Sequence, residues 1–369
     1  MTRWNSSSGL VLFNRVNPIC ALIVKPRPRT RLPSRKESIF DMSSSEIAVI
    51  IVNYGTAELA IDAIESVLAR QHGGRGVDIH VVDNASPGGD ADLLQAAHAH
   101  RGWVGRVTLY LEETNHGFGR GNNLVLHALS ARAAPPDKVF LLNPDARLEN
   151  EALEILAAFL DTHPRVGCAG ASITNPDGRQ ATAAFRFPSA VSEFSDALAF
   201  GPVARLLRRH SVPLPPDMPM QPVHWVAGAA AMLRWEAVWQ CRGFDPSYFL
   251  YFEEVDLLRQ FAKHGWQTWY VPDAHICHVE GAATDVKSGK AQRSLLPDYW
   301  YDSWLTYHLK AHGRWGARLC AAARLMGWSG NRAISFVRRR PTAAPQRYFD
   351  SFTRRILRPL AGLPSKDRV

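Results

Sequence analysis

A chain of 369 residues, 46% hydrophobic and 21% charged, is one large domain or two ordinary ones and is not wholly disordered, collagen-like or disulfide-dense. No run of 18 apolar residues occurs, since the nearest, from Gly9 to Lys25, is broken by Asn14, Arg15 and Asn17, so no transmembrane helix is expected. The net charge of +9 is unevenly placed: residues 1–45 and 310–369 are strongly basic and the stretch between them is acidic, which suggests an anionic partner for the ends, a membrane surface or a nucleic acid.

The first forty-odd residues are rich in Arg, Pro and Ser and poor in acids. They read either as a transit-type presequence or as residues ahead of a true start at Met42. An intact mass with Met1 at the N-terminus excludes the second reading. Residues 47–54 (IAVIIVNY) form a β-branched apolar run, predicted as a strand buried on both faces. Leu59, Ile61, Ile64, Val67 and Leu68 then recur at helical spacing over 57–70. Strands are predicted at 77–82, 107–111 and 139–142, and helices at 92–100, 122–132 and 151–161. This alternation predicts a mostly parallel sheet covered by helices, and such sheets bind ligands beyond the carboxyl ends of their strands.

The residues just past each strand are therefore informative. Asn53 ends the first, Asp83-Asn84 the second, Asn115 to Asn122 lies beyond the third and Asn143-Pro144-Asp145 beyond the fourth. Turn chemistry alone explains one such loop; four on one edge favour a ligand. Gly117, Gly119 and Gly121 are spaced GxGxG, not GxGxxG, and come after the third strand, so they do not make a dinucleotide fingerprint. They either loosen the start of a helix or let a phosphate or sugar approach its backbone. Asp145 either caps the next helix or holds a divalent cation whose shell diphosphate oxygens complete. The small residues of 223–233 either admit a ligand or allow close packing.

Residues 248–265 (YFLYFEEVDLLRQFAKHG) bring Glu253, Glu254 and Asp256 together. On a helical wheel Leu257, Leu258 and Phe261 define the apolar face. Glu254 falls near its middle, Glu253 at its edge, and Asp256 points away. An acid on a buried face is costly without a partner or a task; first-turn acids are also favoured by the helix dipole. A strand is predicted at 266–271, ending at Pro272, with His275 and His278 in the loop beyond. Five scattered cysteines without a CxxC pair suit a reducing compartment and argue against both a disulfide framework and a cysteine-rich zinc site.

In this order, IVNYGT (51–56), VVDNAS (81–86), NHGFGRGNN (115–123), LLNPDA (141–146), WVAGAAAML (225–233), GFDPSYFLYFEEVDL (243–257) and YVPDAHICH (270–278) resemble glycosyltransferase family 2, especially its rhamnosyltransferase-like bacterial members. The resemblance implies a GT-A fold over about 46–285 and inverting transfer of a sugar, rhamnose from thymidine diphosphate foremost, from a nucleotide diphosphate donor. It places Asp83 on the nucleoside, Asn53 and Asn115 in its pocket, and Asn84, Gly117 and Asn122 beside them. Asp145, with His278 approaching, binds Mg²⁺ or Mn²⁺; Asn143 stands where the family's first metal-motif carboxylate often lies. Glu254 takes the place of the family's catalytic Asp as general base, with Glu253 and Asp256 as alternates.

The remaining 286–369 form a helical extension in which Trp315, Leu319, Leu325, Met326 and Trp328 interleave with arginines. It reads as amphipathic helices on an anionic bilayer, or as a cap with a solvated basic face. No nucleic-acid recognition module is evident. The expected acceptor is a glycan or lipid-linked saccharide in cell-surface polysaccharide synthesis, at the cytoplasmic face of the membrane. Two other readings stand beside it. A nucleotidyltransferase would carry a Gly-rich basic loop where Asn53-Tyr54-Gly55-Thr56 lies, and a non-catalytic carbohydrate-binding scaffold would have no use for Glu254, Asp145 and His278 together.

Overall fold

The computed structural model of the protein describes residues 46–279 and 296–364, save 343, 344 and 346. The N-terminal segment, its alternative start at Met42 and the expected boundary at 285/286 lie outside the described residues.

Strand β1 (Ile47–Asn53) is buried at all seven positions. It is lined on both sides by parallel neighbours, which is why its sequence is apolar without alternation. After β1 come α1 (Ala57–Leu68), β2 (Val77–Asn84), α2 (Asp90–His100), β3 (Val107–Glu112), α3 (Phe118–Ser130) and β4 (Lys138–Leu142). The four strands are parallel in the order β3-β2-β1-β4, so their carboxyl ends share one edge. Helix α1 packs Ala57, Ala60, Ala63, Ile64 and Val67 inward at three- and four-residue spacing.

The second half mixes directions. The chain continues through β5 (Ala146–Leu148), α4 (Ala152–Thr162), β6 (Val166–Thr174), β7 (Gln180–Ala181), β8 (Ala184–Phe185), α5 (Ala190–Leu198), α6 (Gly201–Leu206), β9 (Gln221–Val223), β10 (Trp225–Val226), β11 (Ala230–Arg234), α7 (Trp235–Cys241), α8 (Glu253–Lys263) and β12 (Gln267–His278). Strand β11 runs antiparallel between β4 and β6, while β12 is parallel to β6 and antiparallel to β5. The central sheet therefore reads β3-β2-β1-β4-β11-β6-β12-β5, mostly parallel and flanked by helices.

The expected end of β12 at Pro272 is corrected. Pairing with β6 breaks between Val271 and His275 and then resumes, and His278 pairs with Ala146 of β5. The interruption absorbs the amide hydrogen that proline lacks. His275 and His278 thus sit on a strand, where their positions are fixed, rather than in a loop.

Helix α9 (Asp298–Val337) breaks at Gly313, whose φ of 68° and ψ of 178° are not helical. Its two arms, with the C-terminal turns from Tyr348 to Leu360, enclose a second apolar cluster around Tyr301, Trp304, Cys320, Tyr348 and Phe352. The second arm lies directly on α5: a Cβ at Gly327 would meet the Phe194 carbonyl at 2.3 Å. Asn331 Nδ2 donates to the Leu198 carbonyl at 3.0 Å.

Candidate active site

The edge formed by β1 and β2 is locked internally. Asn53 is fully buried and donates from Nδ2 to Asp83 Oδ1 at 2.9 Å and Asp90 Oδ2 at 3.0 Å. Asp90 also accepts from the Ala57 amide at 2.9 Å, satisfying one free N–H at the start of α1. Ser86 Oγ donates to Asp83 Oδ1 at 2.6 Å and accepts from the Gly55 amide at 2.9 Å. Asp83, expected on the nucleoside, and Asn53, expected in its pocket, are both buried and hydrogen-bonded to each other at this edge. Asn122 is buried too, its Nδ2 on the Phe118 carbonyl at 3.0 Å and its Oδ1 without a hydrogen-bond partner among the described residues.

Asn84 and Asn115 do face the cavity. Asn84 Nδ2 donates to Asn115 Oδ1 at 3.0 Å and to the Gly117 carbonyl at 3.2 Å, while its Oδ1 accepts from the His116 amide at 2.9 Å. The glycines beyond have a packing reason. A Cβ at Gly117 would lie 1.8 Å from the Phe249 carbonyl oxygen, at Gly121 2.9 Å from Val52, and at Gly119 3.1 Å from Phe244. Close approach, rather than looseness, accounts for the spacing: the start of α3 is pressed between β1 and the turn leading into α8.

A cavity of about 260 Å³ opens here, lined by Val52, Tyr54, Asn84, Asn115, Gly117, Phe118, Asn143, Pro144, Asp145, Phe249, Leu250 and His278. At its floor His278 Nε2 is 3.0 Å from Asp145 Oδ1 and 3.4 Å from Asn143 Nδ2. The Val279 amide donates to the Asp145 carbonyl at 2.9 Å, tying the end of β12 to the turn after β4. One carboxylate and one imidazole converging beside open volume fit a divalent cation that keeps other positions for phosphate oxygens.

Glu253 and Glu254 begin α8. Each has a buried Oε2 without a partner, and burial raises both carboxyls; the charge of Glu254 raises Glu253 further, well above 4.5. The two residues before them, Tyr251 and Phe252, hold left-handed φ values of 69° and 67°, costly for aromatic side chains. Across this turn the chain passes from one cavity to another. Phe249 and Leu250 wall the first, whereas Tyr251, Phe252 and Glu254 wall a second of about 410 Å³ with Trp225, Trp300 and Asp196.

Asp256 is not with them. A wheel points it outward, yet it is buried, ion-paired with Lys310 and bonded to Gln260 Nε2 at 3.3 Å. Lys310 also reaches Asp245 at 2.6 Å. A wheel assumes one buried face, and α8 has two, against the sheet and against α9. No local pattern marks Asp90, which lies 37 residues from Asn53. Phe249 and Leu250, within the motif at 243–257, read in sequence as ordinary apolar residues and only the fold makes them a cavity wall.

The sheet order and its polar edge are those of a GT-A glycosyltransferase. The sequence profile of the glycosyltransferase-like family 2 matches residues 45–295, and the chain belongs to that family. Over 256 residues it is 26% identical to N-acetylglucosaminyl-diphospho-decaprenol L-rhamnosyltransferase of Mycobacterium tuberculosis, covering 66% of this chain and 79% of that one. It is 23% identical over 173 residues to rhamnosyltransferase WbbL of Escherichia coli K12, covering 46% and 63%. Among solved structures, GalNAc-T7 with UDP, GalNAc and Mn²⁺ matches with a TM-score of 0.50 and 14% identity over 86% of this chain and 58% of that one, a likeness of fold alone. The chain is thus a rhamnosyltransferase-like member of its family.

Proposed function

We propose that the protein is an inverting glycosyltransferase that moves a sugar, rhamnose foremost, from a nucleoside diphosphate to a hydroxyl of a lipid-linked saccharide. The observation that carries this is the placement of Glu254 in the wall of the second cavity, one short turn from the first. The first cavity takes the donor, with Asn84, Asn115 and Tyr54 toward the nucleoside and Asp145 and His278 toward the diphosphate. The second takes the acceptor, whose sugar rings suit Trp225 and Trp300.

Glu254 accepts the proton of the acceptor hydroxyl as that oxygen bonds to the anomeric carbon, and the bond from that carbon to the diphosphate breaks on the opposite face. A raised carboxyl makes a better base at neutral pH than an ordinary glutamate. Asp145 and His278 would hold Mn²⁺ or Mg²⁺, which when bound offsets the charge gathering on the leaving diphosphate. The M. tuberculosis and E. coli relatives are rhamnosyltransferases by name, which supports the donor, and the former acts on a decaprenyl diphosphate, which supports the acceptor.

The second arm of α9 supports a membrane-surface location. Trp315, Leu319, Ala322, Met326, Ser329, Ala333 and Phe336 are exposed at alternating four- and three-residue spacing, a largely apolar stripe along one face. Arg314, Arg338, Arg339 and Arg340 are exposed at the ends of this arm. No helix among the described residues is long and apolar enough to cross a membrane. An apolar stripe flanked by arginines suits the interface of an anionic bilayer.

Calorimetry with a panel of nucleoside diphosphate sugars, with and without Mn²⁺, tests the reading. Metal-dependent binding of one donor, weakened in Asp145→Ala, is expected. A folded protein that binds no donor contradicts it and favours a non-catalytic scaffold.

A further inference from the structure

His308 and His312 stand one helical turn apart just before the break of α9 at Gly313, and Cys320 lies beyond it. One ligand atom from each of the three, a ring nitrogen or the sulfur, lies within 4.8 Å of the other two. His308 and Cys320 are buried. Both rings are already held from one side. His308 Nε2 is 3.3 Å from Glu193 Oε1, and His312 Nε2 is 3.1 Å from the Pro188 carbonyl. Each acceptor engages Nε2 and leaves Nδ1 as the ring atom available to a further partner. His308 Nδ1 is buried and has no partner. An imidazole oriented by a carboxylate or carbonyl on its far nitrogen is the usual support for a metal ligand.

The simplest alternative is that these side chains only fill the α5–α9 junction. That account leaves the buried His308 Nδ1 desolvated without a partner, which is costly for a polar group. It also gives no reason for a thiol and two imidazoles to converge.

We propose that His308, His312 and Cys320 bind one zinc ion, at a site separate from Asp145 and His278, and that this ion fixes the bend of α9 against α5. Two imidazole nitrogens and a thiolate are a donor set for Zn²⁺ rather than Mg²⁺ or Ca²⁺, and one water completes a tetrahedral shell. Glu193, which orients His308, also pairs with Arg324, and both line the second cavity. The ion therefore braces one wall of that cavity from behind without touching substrate.

The test uses the full chain, free of any affinity tag, dialysed against Zn²⁺ and then against metal-free buffer. Elemental analysis is expected to find about one zinc per chain, retained in Asp145→Ala and lost in Cys320→Ser. Cobalt substitution is expected to give a sulfur-to-cobalt charge-transfer band in wild type and none in Cys320→Ser. Wild type without zinc and without that band overturns the proposal, as does Cys320→Ser with zinc undiminished. Should Cys320→Ser fail to fold, the wild-type and Cys241→Ser cobalt spectra decide instead: a band that survives removal of the half-buried Cys241 thiol supports the site, and its disappearance overturns it.

Discussion

His278 and Asp145 stand 133 positions apart in the sequence and 3.0 Å apart in the fold. The contact exists because β12 continues past Pro272 and pairs antiparallel with β5, which begins immediately after Asp145. Replacing either side chain removes one of the two protein donors offered to a cation. His278→Ala is expected to weaken Mn²⁺-dependent donor binding by 10–100-fold, about 1.4–2.8 kcal/mol, while leaving the melting temperature within a few degrees of wild type. Calorimetry beside a thermal melt checks both halves.

Glu254→Gln removes the base but keeps the shape. A loss of about 10²–10⁴ in kcat is expected, with donor affinity unchanged. Because burial raises the Glu254 carboxyl, the acidic limb of the wild-type kcat profile is expected above the ordinary glutamate range of 4.5. A rate profile over pH 4–9 tests this.

Glu253 carries the opposite expectation, a gain in stability. Its folded-state pKa is raised well above 4.5, so the folded chain keeps a proton that the unfolded chain gives up. Stability is then fully present below about 4.5 and falls as pH rises toward the folded value, by up to about 1.4 kcal/mol per pH unit. Glu253→Gln cannot ionise. Its stability relative to wild type is expected to grow between pH 4.5 and neutrality, read by urea denaturation at several pH values.

Gly117→Ala tests the close packing of the α3 start. The new Cβ would sit 1.8 Å from the Phe249 carbonyl oxygen, and the residue has a φ of 76°. Both backbones would have to part. A loss of about 1–3 kcal/mol is expected together with weakened donor binding, since Gly117 and Phe249 both line the first cavity.

Lys310→Met tests the Asp256 pair. Among the described residues, the Asp256 side chain, 3% exposed, would keep Gln260 alone as a hydrogen-bond partner. A loss of about 1–3 kcal/mol is expected, reduced from a fully buried pair because Lys310 is itself 32% exposed. Adding Asp256→Asn should restore part of it in the same denaturation assay.

Much of this fold is legible in the sequence because β1, β2 and β4 are apolar runs ending in polar turns, and their carboxyl ends share an edge. Asn84, Asn115, Asp145 and His278 meet at one cavity, in keeping with the rule that ligands sit beyond that edge. The features hidden from a sequence reading are nonlocal. Strand β5 has three residues, too few to show a period, and β12 is masked by a proline whose missing hydrogen bond a bulge absorbs. Asn53 and Asp83 turn toward each other and toward Asp90, a choice made by hydrogen bonds across the sheet rather than by local pattern. Asp256 escapes a helical wheel because α9 buries the face of α8 that looks polar in isolation. Glu193, a buried acid held by Arg324 and His308, carries no local signal at all.

With Glu254 as the base that deprotonates the acceptor hydroxyl, transfer is a single displacement at the anomeric carbon. This is tested most directly by the anomeric configuration of the product, read by nuclear magnetic resonance after transfer from a nucleoside diphosphate rhamnose to a lipid-linked N-acetylglucosamine. A configuration opposite to that of the donor is expected, formed by wild type and not by Glu254→Gln. A product that retains the donor configuration, or one formed equally well by Glu254→Gln, would contradict it.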